Sequence, residues 1–210
     1  MKRKSHFQQL NHDDYEQLIH AARVIEADGH GPKVYELADG SMLKLFRQKR
    51  LISYASIYPY AQRFYDNCIA LKALSIPCPE PIALLNIPSI KRHAVHYFPL
   101  PGKTVRELLK TSDNSALPHL RSMLGEFIAS LHELGIYFRS VHMGNIILTP
   151  DRKLGLIDVA DLKLMGKSLS KPQRTRNFRH ITRYKDESEV LFESKTFHES
   201  YSKRTQHRLK

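Results

Sequence analysis

Between Gly135 and Leu164 the chain reads G-I-Y-F-R-S-V-H-M-G-N-I-I-L-T-P-D-R-K-L-G-L-I-D-V-A-D-L-K-L. An amide, Asn145, and a carboxylate, Asp158, stand at the two ends of what reads as one hairpin. Its strands are Ile146-Ile147-Leu148 and Leu154-Gly155-Leu156-Ile157, joined by the turn Thr149-Pro150-Asp151. Closing that hairpin brings two hard oxygen donors together. Such a pair suits Mg²⁺, which takes a few carboxylate or amide oxygens together with substrate phosphates. His142 lies three residues before Asn145 and titrates near neutral pH, so it is a candidate base or a phosphate or backbone contact. Asp161 reads as a second acidic contact or as a helix N-cap, with the cap preferred. Taken singly, Asn145 could be a turn residue after Gly144, and Asp158 a strand-end cap.

The elements that must carry these residues follow from periodicity. Asp13 to Ala22 reads as a short helix with an acidic first turn. Arg23 to Glu26, Lys33 to Leu37 and Ser41 to Phe46 read as three antiparallel strands. They are separated by the turns Asp28-Gly29-His30-Gly31-Pro32 and Asp39-Gly40. Tyr60 to Leu74 has helical spacing and stops at Pro77, Pro79 and Pro81. Strands follow near Ile82 to Leu85 and Ala94 to Phe98. Pro99-Leu100-Pro101-Gly102 is a rigid connector and the candidate boundary between two lobes, residues 1–98 and 99–210. Val105 to Lys110 is a short helix. Leu117 to Leu134 gives the best helical stripe, Leu120, Leu124, Phe127, Ile128 and Leu131, ended by Gly135. Ile136 to Asn145 reads as irregular. Weaker helical signals lie around Asn177 to Tyr184 and Glu187 to Phe192, and Ser200 to Lys210 is expected to fray.

The 210 residues are 41% hydrophobic and 26% charged, ordinary values for a packed globular chain. The formal net charge of +12 favours anionic partners: nucleotide phosphates, an acidic membrane face or nucleic acid. The excess is concentrated from Lys163 onward, where the plain alternative is a solvated basic helix face. No nucleic-acid-binding motif supports the third partner, which ranks last. Cys68 and Cys78 lack metal-ligand spacing and read as free core thiols of a reducing compartment. Met1 to Ser5 is basic without an apolar run behind it, and no apolar run approaches the roughly 18 residues of a membrane span. The expected location is cytoplasmic, with peripheral contact on the inner membrane.

The Gly135–Leu164 segment resembles the catalytic and metal loops of protein-kinase-like enzymes, H-R-D-x-x-x-x-N followed by D-F-G. Arg139 matches the Arg, Asn145 the metal-binding Asn and Asp158 the metal-binding Asp. The form with His142 and with Gly144 before Asn145 resembles the small-molecule branch, the aminoglycoside phosphotransferases and lipopolysaccharide core sugar kinases. F-R-S-V-H-M-G-N-I-I-L-T-P is similar to bacterial proteins labelled toluene tolerance proteins, a lipopolysaccharide-kinase-like group. The resemblance covers roughly residues 23 to 185. It implies an α+β, two-lobed kinase-like fold: an N-lobe antiparallel sheet with one helix, and a mainly helical C-lobe. Lys44, in Met42-Leu43-Lys44-Leu45-Phe46, resembles the lysine that pairs nucleotide phosphates, and Gly29 and Gly31 lie where a phosphate-covering turn belongs; the plain alternatives are an ordinary strand-edge lysine and an ordinary hairpin turn. The implied cofactors are ATP and Mg²⁺.

Three features depart from the pattern. Ser140 stands where the catalytic Asp belongs, and a serine hydroxyl is a poor base near neutral pH. His142 could serve instead. Asn67 stands where the lysine's helix acid is expected, with Asp66 turned about 100° away. Val159-Ala160 replaces Phe-Gly. The resemblance therefore implies an ATP- and Mg²⁺-dependent kinase acting on a hydroxyl of a sugar or lipopolysaccharide-core acceptor at the inner membrane face. Arg174, Arg176, Arg179 and Arg183 would then meet an anionic glycolipid or membrane surface. The alternative is a pseudokinase that holds nucleotide, or only the fold, and regulates envelope assembly.

Overall fold

The computed structural model describes residues 6–48, 58–111 and 114–206. The chain divides into two compact units, Met1–Leu100 and Pro101–Lys210.

The first unit is a six-stranded mixed sheet with helices. Its described elements are β1 (Gln8–Gln9), α1 (His12–Ile19), β2 (Arg23–Asp28), β3 (Gly31–Glu36), β4 (Met42–Arg47), α2 (Tyr60–Ala73), β5 (Glu80–Ile87) and β6 (Arg92–Phe98). The strand order is β1-β5-β6-β4-β3-β2. The expected sheet was purely antiparallel with one helix. Instead β1 joins the edge in parallel with β5, Gln8 opposite Leu85, and the short helix expected over Asp13 to Ala22 is present as α1, so the unit has two described helices. Two residues are too few to show a strand period, so β1 leaves no pattern in the sequence.

Alternation along β4 decides where its side chains go. Leu43 and Leu45 belong to a core with Tyr15, Tyr35, Leu37, Leu85, Ile87 and Ala94. Lys44 and Phe46 lie on the opposite face, where Phe64 of α2 packs 6.2 Å from the Phe46 ring. Lys44 is paired in register with Val34 on one side and Val95 on the other. The β3–β4 turn needs Gly40 at φ +80°, and the Asp39 carboxylate accepts the Ser41 amide and hydroxyl at 2.9 and 2.5 Å.

The second unit is mainly helical. It contains β7 (Lys103–Thr104), α3 (Val105–Thr111), α4 (Leu117–Glu133), β8 (Ile136–Phe138), β9 (Ile146–Leu148), β10 (Leu154–Leu156), β11 (Leu162–Leu164), α5 (Lys171–Ile181), α6 (Lys185–Leu191) and α7 (Lys195–Gln206). The α4 stripe Leu120, Leu124, Ile128 and Leu131 is buried as its spacing requires. Gly135 ends the helix at φ +72°, and a Cβ there would stand 2.1 Å from the Lys167 carbonyl oxygen.

Two expectations fail here. Ile136 to Phe138 is not irregular: it pairs antiparallel with β11, Phe138 opposite Leu162. The partner lies far along the chain and each strand has three residues, so no local pattern announces it. Ser200 to Gln206 does not fray, because it is part of α7, which packs on α4. Phe197 is fully buried, the Ser200 hydroxyl lies 2.9 Å from that of Ser122, and a Cβ on Gly125 would stand 2.5 Å from the Phe197 carbonyl oxygen. Residues 207–210 lie outside the described residues. No helix among them is long and apolar enough to cross a membrane.

Candidate functional site

The β8–β11 pairing holds two loops side by side: Arg139 to Asn145, after β8, and Asp158 to Asp161, before β11. The β9–β10 hairpin joins them, with Ile146 opposite Leu156. One further backbone bond closes it, from the Ile157 amide to the Asn145 carbonyl at 3.0 Å. Asn145 and Asp158 are thereby held at one end of one hairpin.

Asn145 is buried, and its Nδ2 donates to the Ser140 carbonyl at 2.8 Å. That bond fixes the amide, with Oδ1 as the remaining donor atom for a cation. Asp158 is exposed and sits in the left-handed region, φ +53°, ψ +44°. A non-glycine residue pays strain there, and such strain persists only where the surroundings over-determine it. One amide and one exposed carboxylate fit a Mg²⁺ that takes its other ligands from phosphate and water. Among the described residues there is no cluster of three or more His, Cys, Asp or Glu side chains suited to a metal.

His142 caps the short 3₁₀ turn Met143–Asn145. Its Nδ1 accepts the Gly144 amide at 3.2 Å, so in the neutral ring the proton sits on Nε2. Burial holds its pKa below the ordinary imidazole value, and the Arg106 and Arg183 guanidiniums push the same way. A neutral ring with its lone pair already used presents an N–H, a donor. Its edge meets the Tyr184 ring at 5.7 Å. Arg106 stacks on the same ring at 4.7 Å and is paired with Glu187. Gly144 has no room to spare, since a Cβ there would stand 3.0 Å from Arg106 Nη1.

Ser140 is half-buried, and its Oγ donates to Asp161 Oδ2 at 2.6 Å. The other oxygen, Asp161 Oδ1, is buried without a hydrogen-bond partner among the described residues. Asp161 is not the helix N-cap preferred from the sequence: it is the last residue of the 3₁₀ turn Val159–Asp161, whose N-cap position is Asp158, and its carboxylate turns to Ser140. The sequence signal for it was slight: an acid three residues past Asp158. Arg139 is exposed, and its carbonyl lies 3.5 Å from Arg183 Nη2. His180 is depressed chiefly by burial, then by Arg183, Arg139 and Arg176, against the opposing charge of Asp161.

A buried polar network supports these loops from behind. His132 Nε2 lies 3.0 Å from Asn177 Oδ1 and Nδ1 lies 2.8 Å from the Tyr201 hydroxyl, while Asn177 Nδ2 donates to the Phe138 carbonyl at 2.7 Å. Burial lowers His132 to about 4. Arg174 belongs to this frame, not to an outward basic face. It donates to Glu133 at 2.6 Å and to the Leu169 carbonyl at 2.8 Å. Arg176, Arg179 and Arg183 are exposed.

In the first unit, Lys44 Nζ lies 5.8 Å from the Phe64 ring centroid and 5.9 Å from that of Phe46. Asn67 is buried on α2, and Asp66 accepts the Tyr58 hydroxyl at 2.9 Å. Gly29 and Gly31 flank the β2–β3 turn. Only Gly31 is left-handed, φ +102°, and a Cβ on either would touch nothing within 4 Å. The His30 amide in that turn already donates to Asp28 Oδ1 at 2.8 Å, and Arg47 holds the same carboxylate. The two thiols are free, with Cys78 Sγ donating to the Cys68 carbonyl at 3.4 Å.

No protein-family model matches this chain, and no curated protein sequence matches it.

Proposed function

We propose that this chain is an ATP- and Mg²⁺-dependent phosphotransferase of the kinase-like type, acting on a hydroxyl of a sugar or lipopolysaccharide-core acceptor at the cytoplasmic face of the inner membrane. The observation that carries the reading is the closed hairpin end: an oriented Asn145 amide beside an exposed Asp158 carboxylate held in a strained backbone conformation. The motif resemblance supports the same assignment. Asn145 and Asp158 would hold the ion, and Lys44 would pair with nucleotide phosphate. Bound Mg²⁺ would neutralise charge on the phosphate oxygens. His142 would donate a hydrogen bond from Nε2, and exposed Arg176, Arg179 and Arg183 favour an acceptor that carries negative charge.

Equilibrium dialysis with ATP tests the reading. Wild type should bind ATP far more tightly with Mg²⁺ than without it, and Asp158→Ala should remove the difference. Equal affinity with and without Mg²⁺ in wild type sinks the proposal. Ser140 favours a second reading, a pseudokinase regulating envelope assembly. Binding without release of phosphate from Mg-ATP would select it.

A further inference from the structure

We infer that Asp161 supplies the carboxylate missing from position 140, acting through the Ser140 hydroxyl as a positioning residue for phosphoryl transfer. The inference rests on the phosphotransferase reading above.

Three observations carry it. Ser140 has one hydroxyl proton, and the 2.6 Å bond commits it to Asp161 Oδ2. Both Ser140 Oγ lone pairs are then left to accept a hydrogen bond from an incoming hydroxyl. Second, Asp161 Oδ1 is buried and unpartnered among the described residues, so the carboxylate is not spent on another donor there. Desolvating a carboxylate oxygen without a partner is costly, which is unusual for a residue whose task is only to cap a turn. Third, the neighbouring alternative does not work as a base, because His142 Nδ1 is occupied by the Gly144 amide. The β8–β11 ladder, Phe138 opposite Leu162, sets the two loops at the spacing this bond needs.

The step balances. The acceptor oxygen bonds to the γ-phosphorus as the bond from that phosphorus to the β,γ-bridging oxygen breaks, and the nucleoside diphosphate leaves with the electron pair. The acceptor proton passes to Ser140 Oγ as the Ser140 proton passes to Asp161 Oδ2. Asp161 returns its proton to water after the products leave. The serine oxygen is the catalytic contact, and the carboxylate is the sink behind it.

Phosphate release from Mg-ATP, with water as acceptor, tests the relay in the full chain. Ser140→Ala and Asp161→Asn should each lower turnover about 10²-fold, the low end for loss of a general base. Mg-ATP affinity and Tm should stay at wild-type values, and the double variant should be no slower than either single one. Ser140→Asp should keep turnover and make it indifferent to Asp161→Asn. A loss on Asp161→Asn that is just as large in the Ser140→Asp background would show a merely structural role and overturn the inference. So would full turnover in Asp161→Asn.

A readout without nucleotide separates this inference from the reading beneath it. In Ser140→Cys the introduced thiol faces the Asp161 carboxylate, which disfavours the thiolate. Adding Asp161→Asn should raise its iodoacetamide alkylation at neutral pH about tenfold, one pKa unit's worth, as followed by peptide mass spectrometry. An unchanged rate overturns the coupling even if the protein is a kinase. Should Asp161→Asn fail to fold, the Ser140 variants decide: undiminished release in Ser140→Ala overturns the relay. A wild type that binds Mg-ATP without releasing phosphate overturns the relay and leaves the binding reading standing.

Discussion

The Gly29–Gly31 turn and the Ser140–Asp161 loops carry similar sequence signals, a short glycine-containing motif beside strand ends, yet they are built differently. Both glycines of the turn face open space, and the His30 amide between them is already bonded to the Asp28 carboxylate. A phosphate arriving there would meet a carboxylate first. In the loops, Asn145 is bonded through its amide, its side chain and its carbonyl, Ser140 through both its hydroxyl and its carbonyl, and Gly144 is pressed by Arg106. The same ties fix the loop in which Asp158 takes a left-handed backbone, a conformation also adopted by Ser75, Lys91 and Arg152 in exposed turns. A motif's capacity for chemistry therefore depends less on its glycines than on how many bonds fix the residues around them.

The largest test of the contrast is Asp158→Gly. Glycine adopts φ +53° without a Cβ penalty, so folding stability should rise by about 1 kcal/mol. Turnover of Mg-ATP should fall by at least about 10³-fold, because the metal's charge stabilisation is worth several kcal/mol. Opposite signs in a urea titration and a phosphate-release assay would mark Asp158 as a residue kept for chemistry at a cost in stability. Equal turnover would break the contrast.

Next in size is the support behind the loops. His132 is buried and neutral in the folded chain with a value of about 4, against an ordinary 6.5 when unfolded. Between those values the unfolded chain takes up a proton that the folded chain refuses. Stability should therefore fall as the pH drops below 6.5, by about 3 kcal/mol at pH 4. Urea midpoints at pH 7 and pH 4 measure it, and His132→Gln should flatten that part of the profile. A wild-type profile as flat as that of the variant would mean the Asn177–Phe138 brace does not depend on neutral His132.

Gly135→Ala comes third. Its Cβ would enter a left-handed position 2.1 Å from the Lys167 carbonyl oxygen, so the β8–β11 pairing that starts beside it must shift. A loss of about 2–3 kcal/mol is expected in urea unfolding. A loss under about 0.5 kcal/mol would show that the loops are less rigidly held than the bonding implies.

What the sequence made legible divides along the same line. The β3–β4 hairpin was readable because Asp39-Gly40 states its turn chemistry locally, and Lys44's face follows from the two-residue period of β4. The α4 stripe and the Asn145–Asp158 hairpin were likewise local patterns. The Ser140–Asp161 bond was not, because it spans 21 positions and depends on β8 meeting β11. The docking of α7 was hidden for the same reason, although a lone Gly125 in an otherwise strong helix is the kind of residue that permits close helix approach. Arg174 reads as one more surface charge, and only the position of Glu133 turns it inward. Position in sequence predicts periodicity well and long-range pairing poorly, and the proposed chemistry depends on the pairing.

The smallest expected effect is the most specific test of the turn. Gly29 has an ordinary backbone and no atom within 4 Å of a built Cβ, so Gly29→Ala should change stability by no more than about 0.5 kcal/mol, with a slight gain from a less flexible unfolded chain. Gly31→Ala, at φ +102°, should cost about 1 kcal/mol or more although it meets no atom either. The pair separates conformation from function. If Gly29→Ala leaves Mg-ATP affinity unchanged, the turn does not approach the phosphates closely at that residue, and the case for nucleotide binding rests on Lys44, Asn145 and Asp158. If it weakens affinity about tenfold with stability intact, backbone at Gly29 must come close to bound phosphate. The Asp28 carboxylate would then have to release the His30 amide when nucleotide binds, and Asp28→Asn should tighten binding.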